Sequence, residues 1–173
     1  MVITENDRIN NMDGYGIFMK EAYGQALKAL ANDEVPIGAA VVRNGDIIGR
    51  GFNKIELEQD PTAHAEIIAV KEAAKTAGTW ILDECDLYVS VEPCLMCLGA
   101  IFQSRIKRVF FGTPNGRYGA ITSQNHFDLA RNAYMREPEI IAVGGEYEEK
   151  CRSLLQDFFK RVRAKNKEMK NGM

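Results

Sequence analysis

The strongest constraint on this chain is a motif in two pieces. The first piece is Pro61-Thr62-Ala63-His64-Ala65-Glu66, and the second is Val91-Glu92-Pro93-Cys94-Leu95-Met96-Cys97. Reduced to chemistry, they read His-x-Glu followed by Pro-Cys-x-x-Cys. One imidazole and two thiolates form a borderline-soft donor set that suits Zn2+. Structural zinc closes with four protein donors, whereas catalytic zinc keeps three and leaves a place for water. The carboxylate of Glu66, two residues from His64, stands where a proton carrier for that water is needed.

Other readings of these residues exist. A Cys-x-x-Cys alone serves as a redox pair or as half of a structural zinc site. A structural site would need a fourth donor from Cys85, His126 or Cys151, and none has a supporting spacing. Cys85 and Cys151 read instead as core residues, and His126 as a loop or surface residue. Glu92 is the rival carboxylate. It precedes proline at the end of a strand and reads as a structural hydrogen-bond acceptor. The balance favours one catalytic Zn2+ per subunit, held by His64, Cys94 and Cys97, with Glu66 moving protons.

The motif must sit in a fold that brings its two halves together. Residues 1–13 are polar and predict a mobile start ending in a helix cap. Phe18, Ala22, Ala26 and Leu30 recur at helical spacing and predict a helix over 14–31. Val35–Val42 reads as a buried strand. Asn44-Gly45 marks a hairpin, Ile47–Asn53 returns antiparallel, and 54–60 is loop-like. A helix over 64–77 follows, with Thr62 as its expected cap. Strands are expected at 86–91, 109–112 and 140–143, and helices at 94–104, 127–135 and 147–170. This order predicts α/β architecture: a three-layer α-β-α sandwich on a five-stranded mixed sheet. In such a fold His64 and Cys94 open two helices, and the positive helix ends favour thiolate.

At 173 residues the chain reads as a single domain. It has no apolar run of membrane-spanning length. Four cysteines without a disulfide pattern and without a leader predict a cytoplasmic protein. The net charge of −2 hides an asymmetry. Residues 150–170 carry eight basic and two acidic side chains, a local charge of +6, so the remainder carries −8. A basic last helix suits phosphates, although cations near a helix C-terminus are also favoured by the helix dipole alone.

The His-Ala-Glu and Pro-Cys-x-x-Cys pair resembles the signature of the cytidine/deoxycytidylate deaminase superfamily. Within it the chain is similar to the tRNA adenosine deaminases that convert wobble adenosine to inosine. That similarity is carried by Glu34–Ala39, Gly51-Phe-Asn53, Asp60–Glu66, Leu87–Cys97, Ser104-Arg-Ile106 and Asp157-Phe-Phe159. Purine-base deaminases share the Asp60–Glu66 stretch and the region from Cys94. The resemblance implies a cytidine deaminase-like fold, a homodimer and a tRNA anticodon stem-loop as partner. It implies that Asn53 bonds the base or sugar and that the Ala65 N–H holds a ring acceptor. It further implies that the Pro93 carbonyl receives the leaving amine and that Val35 and Ile37 pack on the base. Asn115, Arg117, Phe158, Lys160, Arg161 and Arg163 are candidate nucleic-acid contacts, with Phe159 a second candidate for stacking. Asn115 and Arg117 depart from the aspartate and lysine usual in bacterial members. Two further readings remain: a deaminase of a free base or nucleoside of the guanine or cytosine type, and a non-enzymatic zinc-stabilised RNA-binding module.

Overall fold

A computed structural model describes residues 12–122 and 137–171. Most of the expected mobile start, His126 and the helix expected over 127–135 lie outside them. Five strands form one sheet: β1 (Gly38–Arg43), β2 (Asp46–Phe52), β3 (Cys85–Val91), β4 (Arg108–Thr113) and β5 (Glu139–Ala142). Their order is β2-β1-β3-β4-β5. β1 is antiparallel to β2 and β3, while β3, β4 and β5 run parallel. The β1–β2 turn is the expected Asn-Gly hairpin, with φ of 54° at Asn44 and 88° at Gly45.

Side-chain alternation assigns the helices to two faces. Ala39, Val41, Leu87, Val89, Val109 and Phe111 point to one face, where Ala65, Ala69 and Ala73 of α3 (Ala65–Ala77) and Ile101 of α4 (Leu95–Gln103) cover them. The intervening Val42, Tyr88 and Phe110 point to the other. There they meet Met19 and Ala22 of α1 (Met12–Ala31) and Tyr147 of α5 (Glu146–Asn171). Tyr88 and Phe110, opposite each other in the β3–β4 register, stack at 4.5 Å with an interplanar angle of 4°. The result is the α-β-α sandwich on a mixed sheet that the sequence order predicts.

The structure corrects two local expectations. Residues 54–60 are not wholly loop: Ile55–Glu58 forms a single helical turn, α2. It is anchored where the Leu57 N–H donates to the buried Glu34 carboxylate at 2.8 Å. Thr62 does not cap α3. Its N–H and hydroxyl both donate to Asp60 Oδ1 at 2.7 Å, which closes an Asx-type turn, and His64 occupies the cap position.

Gly51 sets how closely α3 approaches the sheet. A Cβ there would lie 2.1 Å from the Ala65 carbonyl oxygen, so only glycine lets the start of α3 rest directly on β2. That contact fixes the height of His64 and Glu66 above the sheet.

Candidate metal centre and substrate cleft

His64 and Cys94 both stand at helix N-caps with extended backbone, φ −78° and −76° respectively. Neither side chain bonds its own helix end, so both are free to turn inward. Cys97, three residues into the second motif, faces the same point from the first turn of α4 and is buried. His64 Nδ1 lies 3.7 Å from Cys94 Sγ and 3.4 Å from Cys97 Sγ. All three donor atoms fall within 4.8 Å of one another. Ordinary Zn–N and Zn–S bond lengths at a tetrahedral angle give N–S edges of about 3.6 Å. The triad therefore fits a zinc ion in both donor chemistry and spacing. Cys85 and Cys151 are buried free thiols and do not join this group.

The three donors lie close enough to shift one another's protonation. Hydrogen bonding with Cys97, against burial and aided by His64, pulls the Cys94 thiol down to about 4. Its bond to Cys94 and its own burial push the Cys97 thiol upward. His64 moves up through its bond to Cys94. The two sulfurs pull each other's pKa in opposite directions, and a bound cation would favour thiolate at both.

Glu66 sits in the first turn of α3, 3% exposed. Its Oε2 is the one buried side-chain oxygen or nitrogen among the described residues that has no hydrogen-bond partner. Burial raises its pKa to about 7. A buried carboxylate oxygen without a partner is costly, and functional sites are where such groups persist.

Asn53 and Ala65, both implied by the resemblance to meet the substrate, bond each other: the Ala65 N–H donates to Asn53 Oδ1 at 2.9 Å. The Pro93 carbonyl accepts from the Ala120 N–H at 3.1 Å and retains one lone pair. Glu92 is the structural carboxylate expected. It accepts from the N–H groups of Asn115, Ile121 and Thr122 at 2.9, 2.8 and 2.6 Å and from the Thr122 hydroxyl at 3.0 Å. Burial acts to raise its pKa, but these bonds outweigh it and hold the carboxyl below its ordinary value. Asn115 Oδ1 in turn accepts from the N–H groups of Arg117 and Tyr118 at 3.3 and 3.1 Å.

A cleft of about 740 Å³ opens over the triad. His64, Glu66, Cys94 and Asn53 line it, together with the apolar Val35, Ile37 and Ile55. Asn115, Arg117 and Tyr118 also border it, as do Leu155, Phe159 and Arg163 of α5. Of the candidate nucleic-acid contacts, Asn115, Arg117 and Arg163 reach this cleft. Phe158, Lys160 and Arg161 do not line it. Phe158 is half-buried, edge-on to Phe159 at 5.4 Å, and it is Phe159, 41% exposed, that faces the cleft. Sequence reasoning missed Ile55, Tyr118 and Leu155. The spacing of Leu155, Phe159 and Arg163 by four was the available signal for the last.

A metal-donor triad at two helix ends and a buried carboxylate with an unpartnered oxygen meet at this cleft, and the chain belongs to the MafB19-like deaminase family, whose model matches residues 13–163. Among its relatives, it is 42% identical to the tRNA-specific adenosine deaminase of Bacillus subtilis (strain 168), over 87% of this chain and 92% of that one. It is 39% identical to the tRNA-specific adenosine deaminase of Aquifex aeolicus, over 87% and 97%. A solved structure from work on A-to-I editing by tRNA:A34 deaminases superposes with a TM-score of 0.75 at 36% identity, over 81% of this chain and 99% of that one. Guanine deaminase from Bacillus subtilis superposes with a TM-score of 0.56 at 44% identity, over 57% of this chain and 64% of that one.

Proposed function

We propose that this protein is a zinc-dependent hydrolase that deaminates adenosine to inosine at the wobble position of tRNA and releases ammonia. The observation that carries the reaction type is the orphaned Glu66 Oε2 beside the His64–Cys94–Cys97 triad, inside a cleft large enough for a nucleoside. The substrate class rests on likeness to tRNA-specific adenosine deaminases along nearly the whole chain.

His64, Cys94 and Cys97 would hold the zinc. When bound, zinc lowers the pKa of a water from 15.7 to about 7, making a nucleophile available at neutral pH. Glu66 Oε2 is free to take a proton from the attacking water and deliver it to a ring nitrogen, which leaves the amine-bearing carbon electrophilic. The same carboxylate then takes the second proton from the hydroxyl now on that carbon and passes it to the amine, so that ammonia leaves as the carbonyl forms. Because the Asn53 oxygen is occupied by Ala65, its NH2 side is what remains to donate to the base or ribose. Val35 and Ile37 would pack on the base, and Phe159 could stack a neighbouring one. A second copy of the chain completes this reading. Leu95 and Met96, exposed beside Cys94, and Leu57 on α2 offer the apolar surface that a homodimer would cover. Four free thiols suit a reducing cytoplasm. No described helix is long and apolar enough to cross a membrane.

A free-base reading is favoured by one observation, the 44% identity to guanine deaminase. That likeness stops short of the whole chain. The experiment is ammonia release and inosine formation with an anticodon stem-loop, guanine, cytosine, adenine and their nucleosides. Turnover of the stem-loop is expected. Turnover of guanine alone would replace this reading with the second.

A further inference from the structure

Four basic residues of α5 recur at spacings of three, four and three: Lys160, Arg163, Lys167 and Lys170. At 100° per residue they occupy one arc of about 80°. Asp157 and Glu168, the acidic residues of this stretch, fall outside it. All four are exposed, and none takes part in an ion pair among the described residues. The contrast lies within one helix: Lys150 pairs with Glu146, and Arg152 pairs with Glu148 and Glu149. Arg163 lines the reaction cleft, and Lys160 flanks it beside Phe159 and Arg163. Lys167 and Lys170 continue the row that Leu155, Phe159 and Arg163 begin, and reach about 10 Å past Arg163 along the helix axis. The family match ends at residue 163, so these two lysines stand on a helical segment beyond it.

We propose that the stripe Lys160–Arg163–Lys167–Lys170 is a track for the RNA sugar-phosphate backbone, with Lys167 and Lys170 holding phosphates of nucleotides beyond the one in the cleft. This rests on the tRNA reading above. A row of unpaired cations continuous with the cleft wall matches a polyanion that enters the cleft at one nucleotide and runs on outside it. Exposed Val162 and Met169 lie outside the stripe's arc, next to Leu155, and would suit a membrane surface. No exposed apolar side chain of α5 among the described residues falls within the arc itself, and continuity with the cleft favours RNA.

The test uses the full chain with Lys167→Ala/Lys170→Ala and the rescue variant Lys167→Arg/Lys170→Arg. Alanine keeps the exposed helix formed. For an anticodon stem-loop RNA, the alanine variant should raise KM roughly tenfold at low salt, with kcat within about twofold. Its plot of log affinity against log salt should be shallower by about 1.5–2. The arginine variant should restore both. Unchanged KM and salt slope in the alanine variant, with normal wild-type turnover, overturns the track alone. Loss of anionic-vesicle binding in that variant, with RNA binding intact, also overturns it, in favour of a lipid surface. Failure of the wild type to turn over the stem-loop overturns the tRNA reading itself.

Discussion

Glu66 and Glu92 line the same cleft and expose equally little surface, 3% and 2%. Their surroundings differ in the supply of donors, and Glu66 also lies deeper and beside the His64 and Cys94 side chains. Glu92 receives four hydrogen bonds from the 115–122 loop, and its carboxyl is held below its ordinary value. Glu66 keeps one oxygen without any partner, and burial carries its pKa up to about 7. Burial alone therefore does not decide what a carboxylate does. A fully satisfied one fastens a loop, while one left short of donors can gain and lose a proton near neutral pH.

The comparison can be broken in four ways. Glu66→Gln should lower kcat about a thousandfold or more while zinc content stays at one per chain and Tm holds or rises, because a neutral amide replaces an orphaned carboxylate. Metal analysis and calorimetry alongside kinetics would check this, and chelation should remove activity from the wild type and every other variant. Glu92→Gln should do the opposite. It should cost about 2–3 kcal/mol of stability, read as a lower urea midpoint, with kcat reduced far less than by Glu66→Gln. Asn53→Ala removes the acceptor of the Ala65 N–H and one substrate donor, so kcat/KM should fall about ten- to thirtyfold, a loss of about 1.5–2 kcal/mol. Thr122→Val deletes a single one of the Glu92 bonds and should cost about 1 kcal/mol by the same urea titration. If Glu66→Gln and Glu92→Gln gave the same pattern, the division of labour between the two carboxylates would be wrong.

The triad was legible because few residue types bind zinc, and His64, Cys94 and Cys97 carried their spacing on the surface of the sequence. The sheet was legible because alternation in β1, β3 and β4 and the Asn44-Gly45 turn are local signals. Contacts between distant residues were not. Nothing near Ala65 in the chain says that its N–H is met by Asn53. The choice between Phe158 and Phe159 depends on the rotation of α5 against the body, which a basic and amphipathic sequence leaves open. The Asp60–Thr62 turn was legible in principle, since aspartate two residues ahead of threonine is an Asx-turn pattern. Thr62 also looked like a helix cap, and that resemblance obscured it. The short helix α2 depends on a carboxylate 23 residues away, Glu34 bonding Leu57.

The Ala65–Asn53 hydrogen bond also determines which way the Asn53 amide faces. With its oxygen turned to the backbone, the side chain is left to offer the cleft the hydrogens of its NH2 group. On the function proposed above, it would act as a polarity filter in the cleft. A lone-pair-bearing atom, such as an unprotonated purine ring nitrogen or a ribose oxygen, can settle against it. A ring N–H presented to the same spot would meet another donor and be turned away.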